Sequence, residues 1–159
     1  MKFLTFFVLA VAVLFAAPAF AQESANMTME ILKEKVKADK KLIVAANMNL
    51  TDAEAKGFWS LYEGYQKELE QINQRLVGTI KAYADAHNAG KGMIPDETAR
   101  KLLKEALAAE EAEVKLRQSY AVKLEKVVPA TKVARYLQIE NKIRAILKYE
   151  LAQAIPLVQ

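Results

Sequence analysis

The sequence predicts an all-α fold of four helices. The middle two form a long antiparallel hairpin, and two shorter helices flank it in an open cradle-like or elongated bundle. Three observations carry this expectation. Apolar residues recur at spacings of three and four, with no repeated Val/Ile/Thr alternation of the kind a half-buried strand needs. Only 5 Gly and 4 Pro occur in 159 residues, too few to punctuate the short strands of a sandwich or barrel. The 53% hydrophobic share is enough for a real core in a chain of single-domain length.

The first stretch reads as a targeting segment. Lys2 gives it a positive start, Phe3 to Phe15 are apolar apart from Thr5, and Ala19-Phe20-Ala21 fits the small-x-small cleavage pattern. Residues 1–21 are therefore expected to be a signal peptide cut between Ala21 and Gln22, with residues 22–159 forming one exported helical domain in the periplasm. Export removes ATP, reducing cofactors and cytosolic nucleic acid from the expected partners. Losing Lys2, the segment's only charge, lowers the formal net charge of +4 by one, which is too mild a balance for a nucleic-acid binder. Five of the 6 Phe leave as well, so Phe58 is the sole mature phenylalanine.

The first helix is expected over 27–48, with Ile31, Leu32, Val36 and Ile43 inward and Lys33, Lys35, Lys37, Lys40 and Lys41 mostly outward. The second starts at Thr51, whose hydroxyl can accept from the Glu54 N–H while the Glu54 carboxylate returns to the Thr51 N–H, a capping box. Phe58, Tyr62, Tyr65, Leu69, Ile72, Leu76, Thr79 and Tyr83 then alternate by four and three, a heptad seam with one polar lapse. Asn88-Ala89-Gly90 stops this helix, with His87 near its negative end. At ~1.5 Å per residue it spans about 55 Å. Gly90-Lys91-Gly92 is a loop, and Pro95 opens the third helix, with Asp96 and Glu97 suiting its positive end.

The third seam is Ala99, Leu103, Ala106, Leu107, Val114, Ala121, Leu124 and Val128, interrupted by Glu110 and Arg117. Pro129 breaks that helix near Val127 and opens the fourth, striped by Val133, Tyr136, Leu137, Ile143, Leu147, Leu151 and Ala154 and ended by Pro156. Short connections make neighbouring helices antiparallel. Thin apolar stripes favour the open arrangement, with a homodimer covering the remaining apolar surface.

Little catalytic equipment is present. Without cysteine there is no disulfide, thiolate metal site, thiol nucleophile or lipoprotein anchor. One histidine, His87, cannot supply the paired Glu-x-x-His motifs of a helical di-metal site and reads as a helix-end residue. Glu110, Glu111 and Glu113 read as a charge-paired face with Lys115 and Arg117. Met27, Met29, Met48 and Met93 raise copper binding, since thioether sulfur suits Cu(I), but only the first two are close in sequence. Asn26-Met27-Thr28 and Asn49-Leu50-Thr51 match the glycosylation pattern, yet each sits where a helix starts and capping explains it more simply. No gly-rich phosphate loop or hydrolase motif occurs. The chain is therefore expected to be no enzyme, with no cofactor and no catalytic or metal-binding residues.

The aromatic group Phe58, Trp59, Tyr62 and Tyr65 is the candidate polypeptide-binding surface. Phe58, Tyr62 and Tyr65 lie on the seam, where burial in the core competes, and Trp59 falls to its side. Lys132, Arg135, Lys142, Arg144 and Lys148 make the last helix the basic face, a candidate for contact with an anionic membrane surface.

Leu50-Thr51-Asp52-Ala53-Glu54, at the start of a long helix in an exported, cysteine-free helical chain, resembles the L-T-x-x-Q signature of the Spy/CpxP-like periplasmic proteins. Glu54 stands where that family has Gln, which keeps the capping chemistry. A second copy would fall at Val128-Pro129-Ala130-Thr131-Lys132, where only the location matches. The resemblance implies an antiparallel dimer of bent hairpins and ATP-independent chaperoning or inhibition of an envelope-stress sensor. The expected function is thus binding of unfolded or partly folded proteins, or of an envelope sensor protein. A periplasmic metal-binding or metal-sensing protein is the alternative.

Overall fold

A computed structural model of the chain describes residues 39–158. The signal segment with its Ala21–Gln22 cut, Asn26-Met27-Thr28, and Ile31, Leu32 and Val36 of the expected first helix lie outside the described residues. Contacts divide the chain into two units, Met1–Ile43 and Val44–Gln159. Residues 39–48 are helical (α1), and Ile43, expected inward, is exposed. Of the α1 residues in the second unit, Val44 and Met48 are buried, four residues apart on one helix face.

Three long helices complete the fold: α2 (Asp52–Ala89), α3 (Asp96–Leu124) and α4 (Ala130–Ala154). No strand occurs among the described residues. Thr51 caps α2. Its hydroxyl accepts from the Glu54 N–H at 3.3 Å, and its own N–H donates to Glu54 Oε2 at 2.8 Å. Pro95 and Pro129 stand one residue outside α3 and α4, each with extended ψ, rather than inside the first turn. The prolines thus set the direction of entry and leave the helical hydrogen bonds to the following residues.

The turn between α2 and α3 is tight. Gly92 N–H donates to the His87 carbonyl at 2.8 Å and Met93 N–H to the Gly90 carbonyl at 3.1 Å, with Lys91 (φ 52°) and Gly92 (φ 99°) left-handed. A Cβ on Gly90 would stand 1.9 Å from the Met93 carbonyl oxygen. Backbone cannot swing away as a side chain can. Gly90→Ala is expected to cost about 1–3 kcal/mol, read as a lower thermal midpoint with unchanged helicity at low temperature.

Cross-helix contacts give the register. Arg75 pairs with Glu105 and Tyr120 reaches Glu68, so residue numbers fall on α3 as they rise on α2. Lys132 meets Glu54, Glu140 meets Gln66 and Pro156 meets Tyr83, a nearly constant offset that runs α4 parallel to α2. The unit is an up-down-up arrangement built on the antiparallel α2–α3 hairpin. Gly64 leaves room for the Tyr120 side chain, because a Cβ there would lie 2.8 Å from the Tyr120 hydroxyl oxygen.

The core is aromatic and lies toward one end. Phe58, Tyr62, Tyr65 and Leu69 of α2 pack with Leu116, Tyr120 and Leu124 of α3, Val133 and Tyr136 of α4, and Val44, Met48 and Val128. Tyr136 is the hub: its ring centroid lies 5.2 Å from Phe58, 5.9 Å from Tyr65 and 6.0 Å from Tyr62. No Cα of α4 comes within 8 Å of one in α2. Large rings fill that gap, each edge-to-face pair adding about 0.5–1.5 kcal/mol beyond area burial.

Beyond Leu69 the packing thins. Ile72, Leu76, Thr79 and Tyr83 continue the α2 seam but are only half-buried. The expected α3 seam holds at its end, where Leu124 and Val128 are buried, and is corrected before it. Leu103, Leu107 and Val114 are exposed, and the inward row is Ala109, Leu116, Tyr120 and Leu124. These two rows differ by roughly a third of a turn, and the bulky Tyr120 ring against Tyr65 selects the second (5.4 Å between centroids). On α4, Leu147, Leu151 and Ala154 are exposed although they prolong the core stripe, and the acidic Glu140 is buried within it.

Candidate functional site

Of the four residues expected to form a polypeptide-binding surface, Phe58, Tyr62 and Tyr65 are core residues, and their faces are taken up by Tyr136, Tyr120 and one another. Trp59 alone keeps partial exposure, edge-on to Phe58 at 5.2 Å and Tyr62 at 5.3 Å. The expected aromatic surface is therefore corrected to a core with one flanking indole.

The Thr51–Glu54 motif reaches further than its own helix. Lys132 Nζ, from the first turn of α4, donates to Glu54 Oε2 at 2.5 Å and to the Asn49 carbonyl at 2.9 Å, while Arg135 reaches the Asn47 carbonyl at 3.4 Å. Two cations thus stand at the carbonyl end of α1, where they offset its negative dipole end, and Asn49 (φ 47°) turns the chain there. The Lys132 ammonium first, and then the Thr51 N–H, hold the Glu54 carboxyl below the usual glutamate value. A group depressed in this way stabilises the fold above its unfolded value of about 4.3 and loses that contribution as pH falls through its lower folded value. Urea midpoints are therefore expected to drop more steeply below that pH in the natural chain than in Glu54→Gln. Thr51→Ala is expected to cost about 1 kcal/mol, read in the same urea titration.

Four of the five basic residues expected to form a basic face on α4 are engaged internally. Besides Lys132 and Arg135, Arg144 forms an ion pair with Glu113, and Lys148 Nζ lies 3.1 Å from Glu110 Oε1. Lys142 is exposed. The acidic cluster is charge-paired throughout, since Glu111 pairs with Lys115 at 2.5 Å.

The Glu113–Arg144 and Glu110–Lys148 pairs cross a groove between α3 and α4. Its volume is about 310 Å³, and Glu110, Glu113, Val114, Arg117, Arg144 and Lys148 line it, with Asn141 and Ala145 completing the α4 wall. Glu113 and Arg144 form its floor, their side chains 13% and 15% exposed. Behind them is a buried polar layer. Glu140 is 2% exposed, and its Oε1 accepts from Gln66 Nε2 at 2.9 Å, which also donates to the Tyr136 hydroxyl at 3.2 Å. Burial first, and then the Glu140 charge, push the Tyr136 hydroxyl far above the ordinary tyrosine value and the Tyr65 hydroxyl up to about 12.

The groove continues as an apolar strip. Leu107 and Leu103 lie seven and eleven residues before Val114, close to whole turns, so they share its side of α3. The register that pairs Glu110 with Lys148 sets Leu107 opposite Leu151. These side chains remain open to solvent: Leu103 60%, Leu107 56%, Val114 41% and Leu151 38% exposed. Neither this strip nor Arg117 was expected as a site, because the leucines were assigned to the seam. The spacing of Leu116, Tyr120 and Leu124 by fours is the signal that competes with that assignment and wins.

Met48 is in the core and Met93 is exposed in the hairpin turn, while His87 packs its ring 5.8 Å from Tyr83. Among the described residues no three His, Cys, Asp or Glu side chains stand close enough to hold a metal ion, and no helix is long and apolar enough to cross a membrane. No protein-family model, curated protein or solved structure matches the chain.

Proposed function

We propose that this chain is an exported, non-enzymatic helical protein that binds non-native polypeptides along the α3–α4 groove and holds them without ATP. One observation carries the reading: four large apolar side chains, Leu103, Leu107, Val114 and Leu151, stand exposed in a line beside a charge-rimmed groove. Water is an unfavourable neighbour for such a strip, and an apolar line with a polar rim is how binding surfaces are built. The strip is narrow, which suits weak holding of many sequences. The Leu50–Glu54 resemblance supports the same class and extends the partner to an envelope-stress sensor protein.

The test is aggregation of a reduced or heat-treated client in the absence of ATP. The processed chain at a few-fold molar excess is expected to suppress it, and Leu107→Asp combined with Leu151→Asp is expected to abolish suppression while circular dichroism keeps its helical signal. Aggregation that is unchanged across several clients and salt concentrations would overturn the reading.

A further inference from the structure

Resting on that reading, we propose that the groove selects polypeptide segments that carry an Asp or Glu beside their apolar residues, and that Arg117, with Arg144, receives the carboxylate. The lining holds three cations against two carboxylates. Glu113 is taken by Arg144 and Glu110 by Lys148, and Arg117 is in no ion pair among the described residues. The groove's own walls therefore hold one cation more than they hold carboxylates, with the Glu140 carboxylate buried behind them.

Unmet hydrogen-bond donors stand at the same place. Arg117 Nε and Arg144 Nη2 are both buried without an acceptor, beside Glu113 Oε1, which is ion-paired to Arg144 but accepts no hydrogen bond, and the fully buried Tyr65 hydroxyl, which feels the charges of Glu113, Arg117, Glu140 and Arg144, is also without a partner. Buried guanidinium donors are costly to leave unsatisfied, and their forked geometry matches a carboxylate. The volume of about 310 Å³ is many times the ~30 Å³ share of a water molecule, enough to admit an acidic side chain. Val114 and Ala145 provide walls for its methylene groups.

The helix also sets the spacing. Arg117 lies ten residues beyond Leu107, roughly 15 Å along α3. An extended segment at ~3.3 Å per residue covers that distance in four or five residues. The preferred segment thus has its acidic residue about that far from a pair of large apolar ones.

Fluorescence anisotropy on the intact processed chain tests this. Three labelled peptides share one apolar pair and carry Glu, Gln or Lys five residues away. The Glu peptide is expected to bind about tenfold tighter than the Gln peptide and the Lys peptide weakest, with the difference shrinking as salt rises. Arg117→Gln, checked for helicity, is expected to bring the Glu peptide down to the affinity of the Gln peptide, so that the tenfold preference disappears. Equal binding of Glu and Gln peptides to the natural chain overturns carboxylate selection and leaves polypeptide binding standing. Failure of all three peptides to bind removes the polypeptide reading itself. A Glu preference that survives Arg117→Gln, or one that inorganic phosphate alone abolishes by filling the site, gives the groove to another group or to a free anion. A change of sedimenting mass in Arg117→Gln gives it to a second copy of the chain; each of these results overturns the proposal.

Discussion

Phe58→Ala is expected to destabilise the chain by about 3–5 kcal/mol, read as a lower urea midpoint and a thermal midpoint down by roughly 10 °C or more. The ring is fully buried and touches Trp59, Tyr62 and Tyr136, with centroids 5.2, 6.3 and 5.2 Å away. Its removal forfeits transfer energy and leaves a hole that those rings cannot close. Tyr136 is held by the hydrogen bond from Gln66, and Trp59 and Tyr62 are fixed on the same helix turns. Phe58→Leu retains most of the volume and is expected to cost less than half as much. A loss below about 1 kcal/mol for Phe58→Ala would mean that the aromatic cluster does not hold α4 against α2.

Arg144→Ala is expected to cost about 3 kcal/mol, because it leaves the Glu113 carboxylate mostly buried without its cation. Both side chains are largely withdrawn from solvent, so water screens the pair far less than an exposed one. The penalty comes from the orphaned partner more than from the worth of the pair. Replacing both residues together, Glu113→Leu with Arg144→Met, is therefore expected to return stability to within about 1 kcal/mol of the natural chain. Denaturant unfolding of the two single variants and the double variant measures this directly. Additive losses would contradict it.

The fold was legible wherever one residue type dominated a position. Thr51 with Glu54, Gly90, and the prolines at 95 and 129 mark the helix starts and the end of α2 to within a residue, because capping and the missing proline N–H act locally; Pro156 follows the end of α4 by two residues, and α3 stops at Leu124, three residues before the expected Val127. The α2 seam was equally clear as far as Leu69. Facing was lost on α3, where leucine and alanine occur on several sides and a heptad line through Leu103, Leu107 and Val114 fits about as well as one through Ala109, Leu116 and Tyr120. Only packing against α2 chooses between them, and local periodicity does not contain that information.

The candidate site was hidden for the same reason. Leucines assigned inward cannot also be read as a surface, and the charges between them look like ordinary helix decoration. Glu140 shows the limit from the other side. An acidic residue four positions from Tyr136 breaks the apolar stripe in sequence, yet the helix carries it into the interior, where Gln66 donates to it. The aromatic cluster allowed both a seam and a recognition role, and the seam role holds: Phe58, Tyr62 and Tyr65 are spent on holding three helices together.

The central claim, that the exposed strip beside the α3–α4 groove receives polypeptide, is tested most directly by amide chemical-shift mapping of the isotope-labelled chain titrated with a permanently unfolded client. The expected result is a contiguous set of perturbations over residues 103–117 and 141–151, lost in the combined Leu107→Asp and Leu151→Asp variant. Perturbations confined to the surroundings of Trp59, or a client that suppresses no signal and shifts none, would contradict it.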